Sequence, residues 1–288
     1  MQEQTNKVDI NLKSLLAVGA HFGTKKADWD PRMSPFIFGR RNGVYIIDLE
    51  QTVQFWRKAR KAIVKTVAEG GTVLFVGTKP QTRERVREQA ERCGRSYVEN
   101  KWQGGTLTNF KVLRASIKRL TDLEKLVESA ESGKAKLVKK EIGSLKKQID
   151  KDIKAFGGVR NLKKLPDLIF ITDAVKEDLA VEESLKSAIP IVAITDTNVN
   201  PHKITHIIPA NDDATGTITL FTRAVADAIL EGKLLNEARV RAQVKEVAVQ
   251  DTSIEAEILA RAEENEKSRV TNDAKPILVE RKNKPSRK

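Results

Sequence analysis

The strongest constraint on the fold is a regular alternation of short, continuous apolar runs with longer amphipathic segments. The apolar runs are rich in β-branched residues and lie at 44–49, 73–77, 168–172, 191–195 and 206–209. Continuous rather than alternating apolar character indicates strands that are covered on both faces of a sheet. Between them lie segments 51–69, 81–93, 174–188 and 215–230, whose apolar residues recur at helical spacing. This order predicts an α/β fold with a doubly wound, mostly parallel five-stranded sheet joined by right-handed crossovers.

One long segment, residues 107–162, breaks the alternation because its pattern is helical throughout. Two apolar stripes run along it, and Ser132-Gly133 separates them. The first stripe contains Leu113, Ile117, Leu120, Leu123, Leu126 and Val127, and the second contains Leu137, Ile142, Leu145, Ile149 and Ile153. The pattern predicts an antiparallel helical hairpin that projects from the sheet domain and closes along a narrow, coiled-coil-like seam.

The chain is strongly basic, and its charge is unevenly distributed. It carries 52 Lys and Arg against 39 Asp and Glu in 288 residues, a net charge of +13. Such an excess favours a polyanionic partner, because each cation placed on a phosphate releases a counterion. Residues 111–164 hold 16 basic and 7 acidic side chains, whereas residues 165–232 hold 4 and 11. The basic charge therefore belongs to the side of the hairpin.

Membrane, disulfide and zinc chemistry are disfavoured by the same sequence. No apolar run approaches the ~20 residues that span a bilayer, and residues 1–7 are polar, so we expect a cytoplasmic protein. The single cysteine, Cys93, excludes an intramolecular disulfide, and three histidines do not complete a zinc framework. We interpret Cys93 as a buried small residue at the end of a helix.

Three parts of the chain are expected. Residues 1–106 and 163–232 form the discontinuous α/β domain, residues 107–162 form the inserted hairpin, and residues 233–288 form a charged C-terminal extension. Residues 234–268 of the extension are helix-prone, and about the last twenty residues lack the apolar side chains that would offset ordering entropy. The basic end at 281–288 suits a phosphate clamp and a solubilising tail equally well.

Catalytic and nucleotide-binding motifs are poorly supported. Gly77-Thr78-Lys79 follows a predicted strand, but a phosphate loop needs its glycines on one tight turn before Lys, and here Gly71 and Gly77 flank the strand itself. No Gly-x-Gly-x-x-Gly follows a strand, and His21, His202 and His206 have no spacing that singles out a base. The sequence therefore predicts no enzyme, no cofactor and no small-molecule substrate.

Three aspartates follow predicted strands at the edge where α/β sheets bind ligands. Asp196, Asp212 and Asp213, with His21 nearby, have oxygen ligands that suit a hard divalent cation. The alternative, which residue preferences favour, is that these aspartates cap turns and helices. We predict no metal site.

Two segments have the composition of ordered, RNA-facing loops. Residues 29–43 contain two prolines and two glycines, which argues against a regular element, yet Trp29, Phe36 and Phe38 are too apolar for a solvated loop. We expect the aromatic side chains to pack on the domain while Arg32, Arg40 and Arg41 reach phosphates. Lys101-Trp102-Gln-Gly-Gly is similar, although core packing is the more ordinary role for a tryptophan such as Trp102.

These segments also resemble a known family. Residues 15–23, 29–43, 45–49, 75–79, 102–110, 165–167, 194–198 and 208–213 occur in the order seen in bacterial ribosomal protein S2 of the small subunit. The resemblance covers roughly residues 8–232, and several long motifs in register are more specific than any short one. Thr24 and Asn200 depart from the family pattern at positions where it often has histidine and aspartate, which weakens any transfer of a metal site.

The resemblance implies a flavodoxin-like α/β domain with an inserted hairpin and a structural, non-catalytic role in the small ribosomal subunit. It implies binding to 16S ribosomal RNA, contact with neighbouring small-subunit proteins and help in seating ribosomal protein S1, which recruits messenger RNA. The residues expected to contact RNA, through phosphates and shape, are Arg32, Arg40, Arg41, Lys101, Trp102, Lys111, Arg114, Lys118 and Arg119. Two alternatives stay open: a nucleotide-binding enzyme that uses the Gly77–Lys79 turn, and a coiled-coil adaptor whose hairpin binds only protein.

Overall fold

Eight strands and seven α-helices make up the secondary structure of the described part of the chain. The structure is a computed structural model that describes residues 9–132 and 138–272, with side chains described as far as residue 244. The strands are β1 Phe22–Lys25, β2 Ile37–Arg41, β3 Val44–Ile47, β4 Val73–Val76, β5 Tyr97–Val98, β6 Leu168–Ile171, β7 Ile191–Thr195 and β8 His206–Pro209. The helices are α1 Leu12–Ala17, α2 Leu49–Ala68, α3 Pro80–Arg92, α4 Phe110–Glu131, α5 Lys139–Phe156, α6 Asp178–Lys186 and α7 Thr215–Asn272. Three short 3₁₀ helices cover Pro31–Phe36, Gly157–Val159 and Pro201–Lys203.

A five-stranded parallel sheet lies at the centre, as the sequence predicts. Its strand order is β5-β4-β6-β7-β8, the flavodoxin-like order in which the second strand crosses to the far side of the first. The membership of the sheet differs from the expectation in one strand. The run at 44–49 does not join this sheet, because β3 pairs with β1 and β2 in a separate antiparallel sheet. Its place is taken by the two-residue strand β5, which was not predicted.

Both faces of the parallel sheet are covered, which explains why its strands are apolar throughout. Alternate residues of β4 enter different clusters: Phe75 packs with Trp56 of α2 and Phe221 of α7, whereas Leu74 packs with Val181 of α6. Phe75 and Phe170 meet edge-on on the first face, with ring centroids 5.7 Å apart. Burial on two faces requires helices on both sides of the sheet, the arrangement that the alternating pattern indicates.

Two helices differ from their predicted bounds for local reasons. Helix α6 begins at Asp178, later than expected, because the carboxylate of Asp173 accepts hydrogen bonds from the amides of Val175 and Lys176 and holds a turn there. Helix α7 does not stop near residue 230 but runs on to Asn272. Gly232 lies within it, and a Cβ there would lie 2.7 Å from the Cβ of Val67. This glycine therefore lets α7 approach α2 closely and does not end the helix.

The inserted segment forms the expected pair of helices, α4 and α5. Leu120, Val127 and Ile149 are buried between them, and Lys146 binds Glu131 at 2.5 Å near the distal end. The base is joined to the domain, because Leu113 and Ile117 belong to the cluster on the second face of the parallel sheet. Leu126, predicted to lie in the seam, is instead 40% exposed. Gly133 and Leu137 lie outside the described residues.

The chain divides into two compact units, Met1–Asn236 and Glu237–Lys288. The sheets and the α4–α5 pair belong to the first unit, and the second contains the C-terminal part of α7. The basic end at residues 281–288 lies outside the described residues. Within the described part of the chain, every helix is too short or too polar to span a bilayer.

Candidate nucleic-acid interface

Arg40 and Arg41 lie at the end of a β-hairpin. Strands β2 and β3 are joined by Asn42-Gly43, whose φ angles of 51° and 82° are those of the tight turn that matches strand twist. The expectation that residues 29–43 lack regular structure was wrong, because this segment contains a 3₁₀ helix and the whole of β2. The Asn-Gly pair between two apolar stretches is a strong hairpin signal that the prediction did not use. The hairpin leaves both arginine side chains exposed.

The aromatic side chains of this segment behave in two ways. Trp29 packs on Tyr45 with ring centroids 4.7 Å apart, and Phe36 meets Phe55 edge-on at 5.4 Å. Phe38, in contrast, is 80% exposed, so the expectation that it packs on the domain was wrong. It lies two positions before Arg40 on β2, in the stretch between Ile37 and Gly39 where the pairing register with β3 shifts. The exposed end of the hairpin is therefore both basic and aromatic.

Arg32 is less available than the sequence suggests. Its Nε and Nη2 donate to the two carboxylate oxygens of Asp30 at 2.9 and 2.7 Å. The hydrogen bond from Arg32 lowers the pKa of Asp30, so the carboxylate stays charged and offsets the guanidinium. An RNA phosphate at Arg32 would have to share this cation with Asp30.

The small antiparallel sheet is held against the end of the parallel sheet by Thr197, which follows β7. The Thr197 hydroxyl accepts from the amide of Thr24 at 2.8 Å, and its carbonyl accepts from the amide of Asp30 at 2.8 Å. Thr197 is fully buried, and its own amide donates to Asp196. The hairpin that carries Arg40 and Arg41 is thus positioned from the rigid central sheet.

The loop before α4 is organised by one buried carboxylate. Glu183 of α6 accepts from the indole of Trp102 at 3.1 Å and from the amides of Gly105 and Leu107 at 2.7 and 2.9 Å. Trp102 is 5% exposed, so the structure gives it the core-packing role and leaves no ring face for a base to stack on. Lys101 is exposed beside it.

Helix α4 carries an exposed basic stripe. Lys111, Arg114 and Lys118 lie on one face by helical periodicity, and Arg119 lies about 100° away. Arg114 also donates to the carbonyl of Leu162 at 3.1 Å, whereas the other three have no hydrogen bond or ion pair among the described residues.

The structure adds basic residues that the sequence reasoning missed. Lys125 extends the stripe on α4, because it lies seven residues beyond Lys118 and is exposed. Lys140, Lys147 and Lys154 are exposed at the same seven-residue spacing on α5. A search for lysines at heptad spacing would have found both rows. The α4–α5 pair therefore presents basic rows on both helices.

The carboxyl edge of the parallel sheet holds a closed ionic cluster rather than an open ligand site. Lys79 contacts Asp173, Asp212 and Asp213 at 2.5, 2.9 and 2.7 Å. Burial disfavours the ammonium, but these three bonds outweigh it and raise the pKa of Lys79. Burial and the nearby charge of Asp173 raise the pKa of Asp212 to about 8. Lys79 thus stays charged, and Asp212 is the carboxylate that takes a proton most readily.

This cluster bears on the metal and nucleotide alternatives. Asp196 accepts from the amide of Thr197, and Asn211 accepts from the amide of Asp213, as expected for turn and cap residues. The carboxylates of Asp212 and Asp213, which were also expected to cap, bind Lys79 instead. Throughout the described residues, no group of three or more His, Cys, Asp or Glu is placed to hold a metal ion. The amide and hydroxyl of Thr78 both donate to Glu177, and Lys79 is engaged, so the Gly77–Lys79 turn offers a phosphate few free donors.

Comparisons with known proteins agree with this geometry. Residues 15–232 match the family described as ribosomal protein S2. The chain is 45% identical over 266 residues to small ribosomal subunit protein uS2 of Lawsonia intracellularis, covering 89% of this chain and 91% of that protein. It is 48% identical over 230 residues to uS2 of Nitratidesulfovibrio vulgaris strain DP4, covering 80% and 90% respectively. The uS2 protein of Oleidesulfovibrio alaskensis is 46% identical over 228 residues, covering 79% and 87%.

Proposed function

Because this chain belongs to the ribosomal protein S2 family and is a non-enzymatic structural component of the small ribosomal subunit, we propose that it binds 16S ribosomal RNA through two basic surfaces and helps to seat ribosomal protein S1. The first surface is the β2–β3 hairpin with Arg40 and Arg41. The second is the lysine face, which we define as the exposed row Lys111, Lys118 and Lys125 on α4. Another row, Lys140, Lys147 and Lys154, lies on the side of α5 that faces away from the α4–α5 seam.

The observation that carries this proposal is the lysine face. Its ammonium groups are exposed and form no hydrogen bond or ion pair with another described residue, so their charge is not offset locally. Such cations gain most from an RNA backbone, because phosphate contacts release counterions without the cost of breaking an internal ion pair. Folded RNA is recognised mainly through its shape and phosphates, and a rigid helical pair with a basic face suits that mode.

The acidic half of the domain supports a protein-facing role. Residues 165–232 carry 4 basic and 11 acidic side chains, which makes RNA an unfavourable neighbour there. In the same region Val175, in the turn before α6, and Leu179, in the first turn of α6, are each 48% exposed. We place the contact with ribosomal protein S1 on this surface. Substituting both residues with Asp should reduce the amount of S1 that sediments with the subunit, without lowering incorporation of this protein.

A charge-reversal experiment tests the RNA contact at the hairpin. Arg40→Glu/Arg41→Glu should weaken binding of the full-length protein to 16S ribosomal RNA and reduce the slope of log affinity against log salt by roughly two. The matched control is Lys61→Glu/Lys65→Glu, which makes the same change in net charge on an exposed part of α2. If both variants bind equally weakly, only net charge matters, and if both bind normally, Arg40 and Arg41 are not in the interface.

The lysine face is tested separately. Lys111→Glu/Lys118→Glu/Lys125→Glu alters only exposed positions and leaves the buried seam intact. We expect the variant to remain at the top of a sucrose gradient under salt conditions in which the unaltered protein migrates with the small subunit. Unchanged RNA affinity would favour the adaptor alternative, in which the α4–α5 pair binds only protein.

A further inference from the structure

A cavity of about 710 Å³ opens at the amino edge of the parallel sheet, the edge opposite the Lys79 cluster. Its walls are the amino ends of β4 and β5, the end of α3 and the segment that leads from Gly157 to Lys164. A volume of this size lies within the range of small-molecule sites, which is roughly 300–1,000 Å³. None of the residues expected to contact RNA lines it.

The wall of the cavity contains three cations, Arg95, Lys163 and Lys164. The Nε of Arg95 is buried and has no hydrogen-bond partner among the described residues. A buried donor of a charged group is costly when it is left unpaired, since it has lost water and gained nothing in return. Burial accordingly lowers the pKa of the Arg95 guanidinium. An anion in the cavity would offset the charge of this guanidinium, which forms no ion pair with another described residue.

The two nearby carboxylates, Asp167 and Glu91, are bound to other groups. Asp167 accepts from the amide of Thr72 at 2.7 Å and binds Lys164 at 3.0 Å. Glu91 accepts from the hydroxyl of Tyr97 at 2.9 Å. Burial and Glu91 raise the pKa of Tyr97 to about 12, so the hydroxyl stays protonated and keeps this carboxylate engaged. Within the described chain, Lys163 has no ion pair and Arg95 has none.

The cavity is preformed by a close backbone contact. Gly158 lies against Tyr97 of β5, and a Cβ on Gly158 would fall well inside van der Waals contact with the Tyr97 carbonyl oxygen. The opposing atom is backbone and cannot rotate away, so this wall is fixed relative to the edge strand. Ser96 and Asn161 add neutral polar side chains to the same lining.

We propose that this cavity binds a phosphate group, with the Arg95 guanidinium and the Lys163 ammonium as the charged donors and Ser96 and Asn161 as neutral ones. The terminal nitrogens of a guanidinium can donate parallel hydrogen bonds to a phosphate, the geometry that phosphate favours. The same chemistry is present in a backbone phosphate of RNA and in a free phosphorylated small molecule. The two sources are distinguished by experiment.

The first measurement is titration of the full-length protein with inorganic phosphate, pyrophosphate and AMP, followed by calorimetry. Lys163→Gln removes an exposed cation without disturbing the fold, and Arg95→Gln removes the buried one; Lys61→Gln is the control, with the same loss of charge outside the cavity. We expect Lys163→Gln to weaken phosphate binding roughly tenfold, the loss of one charge-assisted hydrogen bond. The control should bind as the unaltered protein does.

The second measurement is binding of the same variants to 16S ribosomal RNA. Weaker binding, with a salt slope lower by roughly one per cation removed, identifies the RNA backbone as the source. Unchanged RNA binding beside lost phosphate binding identifies a free ligand. Two results would overturn the proposal. In the first, none of the three probes binds at tens of millimolar and folded Lys163→Gln binds RNA normally. In the second, the probes bind Lys163→Gln and Arg95→Gln with the same affinity as they bind the unaltered protein. Failure of the hairpin and lysine-face contacts would leave the phosphate titration intact, so the two proposals fail separately.

Discussion

Glu183→Gln should destabilise the protein although it changes one carboxylate oxygen into an amide nitrogen. Oε1 accepts from the Trp102 indole and the Gly105 amide, and Oε2 accepts from the Leu107 amide at 2.9 Å and from both the amide and hydroxyl of Thr108 at 3.2 and 3.1 Å. Every group around this carboxylate is a donor. A glutamine side chain would turn its NH₂ group toward one of these two sets.

The magnitude follows from the donors that lose their acceptor. Either orientation of the amide leaves two N–H groups facing another donor, and each buried unsatisfied donor costs about 1–3 kcal/mol. Glu183 is 4% exposed, so water does not replace the lost acceptor. We therefore expect a loss of roughly 2–6 kcal/mol in the free energy of unfolding. For a domain of this size that corresponds to a drop in Tm of about 4–24 °C.

The same contacts predict a pH dependence. Burial opposes ionisation of Glu183, but the hydrogen bonds from Leu107, Gly105, Trp102 and Thr108 outweigh it and lower its pKa. A carboxyl group with a lowered pKa in the folded state contributes stability that is present above its unfolded pKa and is lost as pH falls through the folded value. The difference between the unaltered protein and Glu183→Gln should therefore be constant near neutral pH and should shrink below about pH 4.

Thermal and urea unfolding, monitored by circular dichroism at pH 7 and at about pH 3, measure both effects. Glu182→Gln is the matched control, since it makes the same chemical change one residue away on α6. The Glu182 side chain forms no hydrogen bond to another described residue. We expect the control to change the free energy of unfolding by less than about 0.5 kcal/mol. Equal stability of the two variants, or a Glu183→Gln deficit that grows toward low pH, would refute the reasoning.

Three further predictions rest on single contacts. Lys79→Met leaves Asp173, Asp212 and Asp213 without their shared cation and should lower the free energy of unfolding, measured in urea at pH 8, by about 3 kcal/mol. No measurable loss would show that Lys79 does not stabilise the cluster. The pKa of Asp212 is raised to about 8, so the unaltered protein loses stability as pH rises from about 4 to 8. The free energy of unfolding of Asp212→Asn, measured at each pH, should therefore rise relative to that of the unaltered protein across this window and differ from it by a constant amount above it. Gly158→Ala should cost at least about 2 kcal/mol because its Cβ meets backbone. Gly143→Ala, in open space on α5, should instead stabilise the protein by roughly 0.5–1 kcal/mol, and similar Tm values for these two glycine variants would contradict the geometry.

The central sheet could be predicted because burial on two faces leaves a continuous apolar record in the sequence. Four of its five strands follow that rule, and the fifth, Tyr97–Val98, is too short to produce a pattern. The run at 44–49 has the same composition as a buried parallel strand, but only Ile47 of β3 is buried. Composition alone does not reveal which of two sheets a short strand joins.

The basic surfaces were predictable in position but not in availability. Lysines and arginines can be counted along the chain, and the α4–α5 pair was recognised from its stripes. Whether a cation is free depends on contacts that the sequence does not specify, such as the carbonyl of Leu162 at Arg114. Arg32 is an exception, because its partner Asp30 lies two residues away and a local ion pair is a reasonable expectation. The partner of Trp102 is distant in sequence: its indole donates to Glu183, a carboxylate 81 residues along the chain, so its burial could not be predicted from neighbouring residues.

The closed cluster at the carboxyl edge argues against ligand binding at the position that is usual for this α/β fold. In doubly wound folds, ligands enter the crevice at the point where strand order reverses, which here lies between β4 and β6. Lys79 follows β4, Asp173 follows β6, and their contact at 2.5 Å fills that crevice with an internal ion pair. A ligand there would have to replace interactions that are already made. Cations that have no partner among the described residues are present on the hairpin, on the lysine face and at the amino edge, so we expect binding where the chain departs from the plain fold.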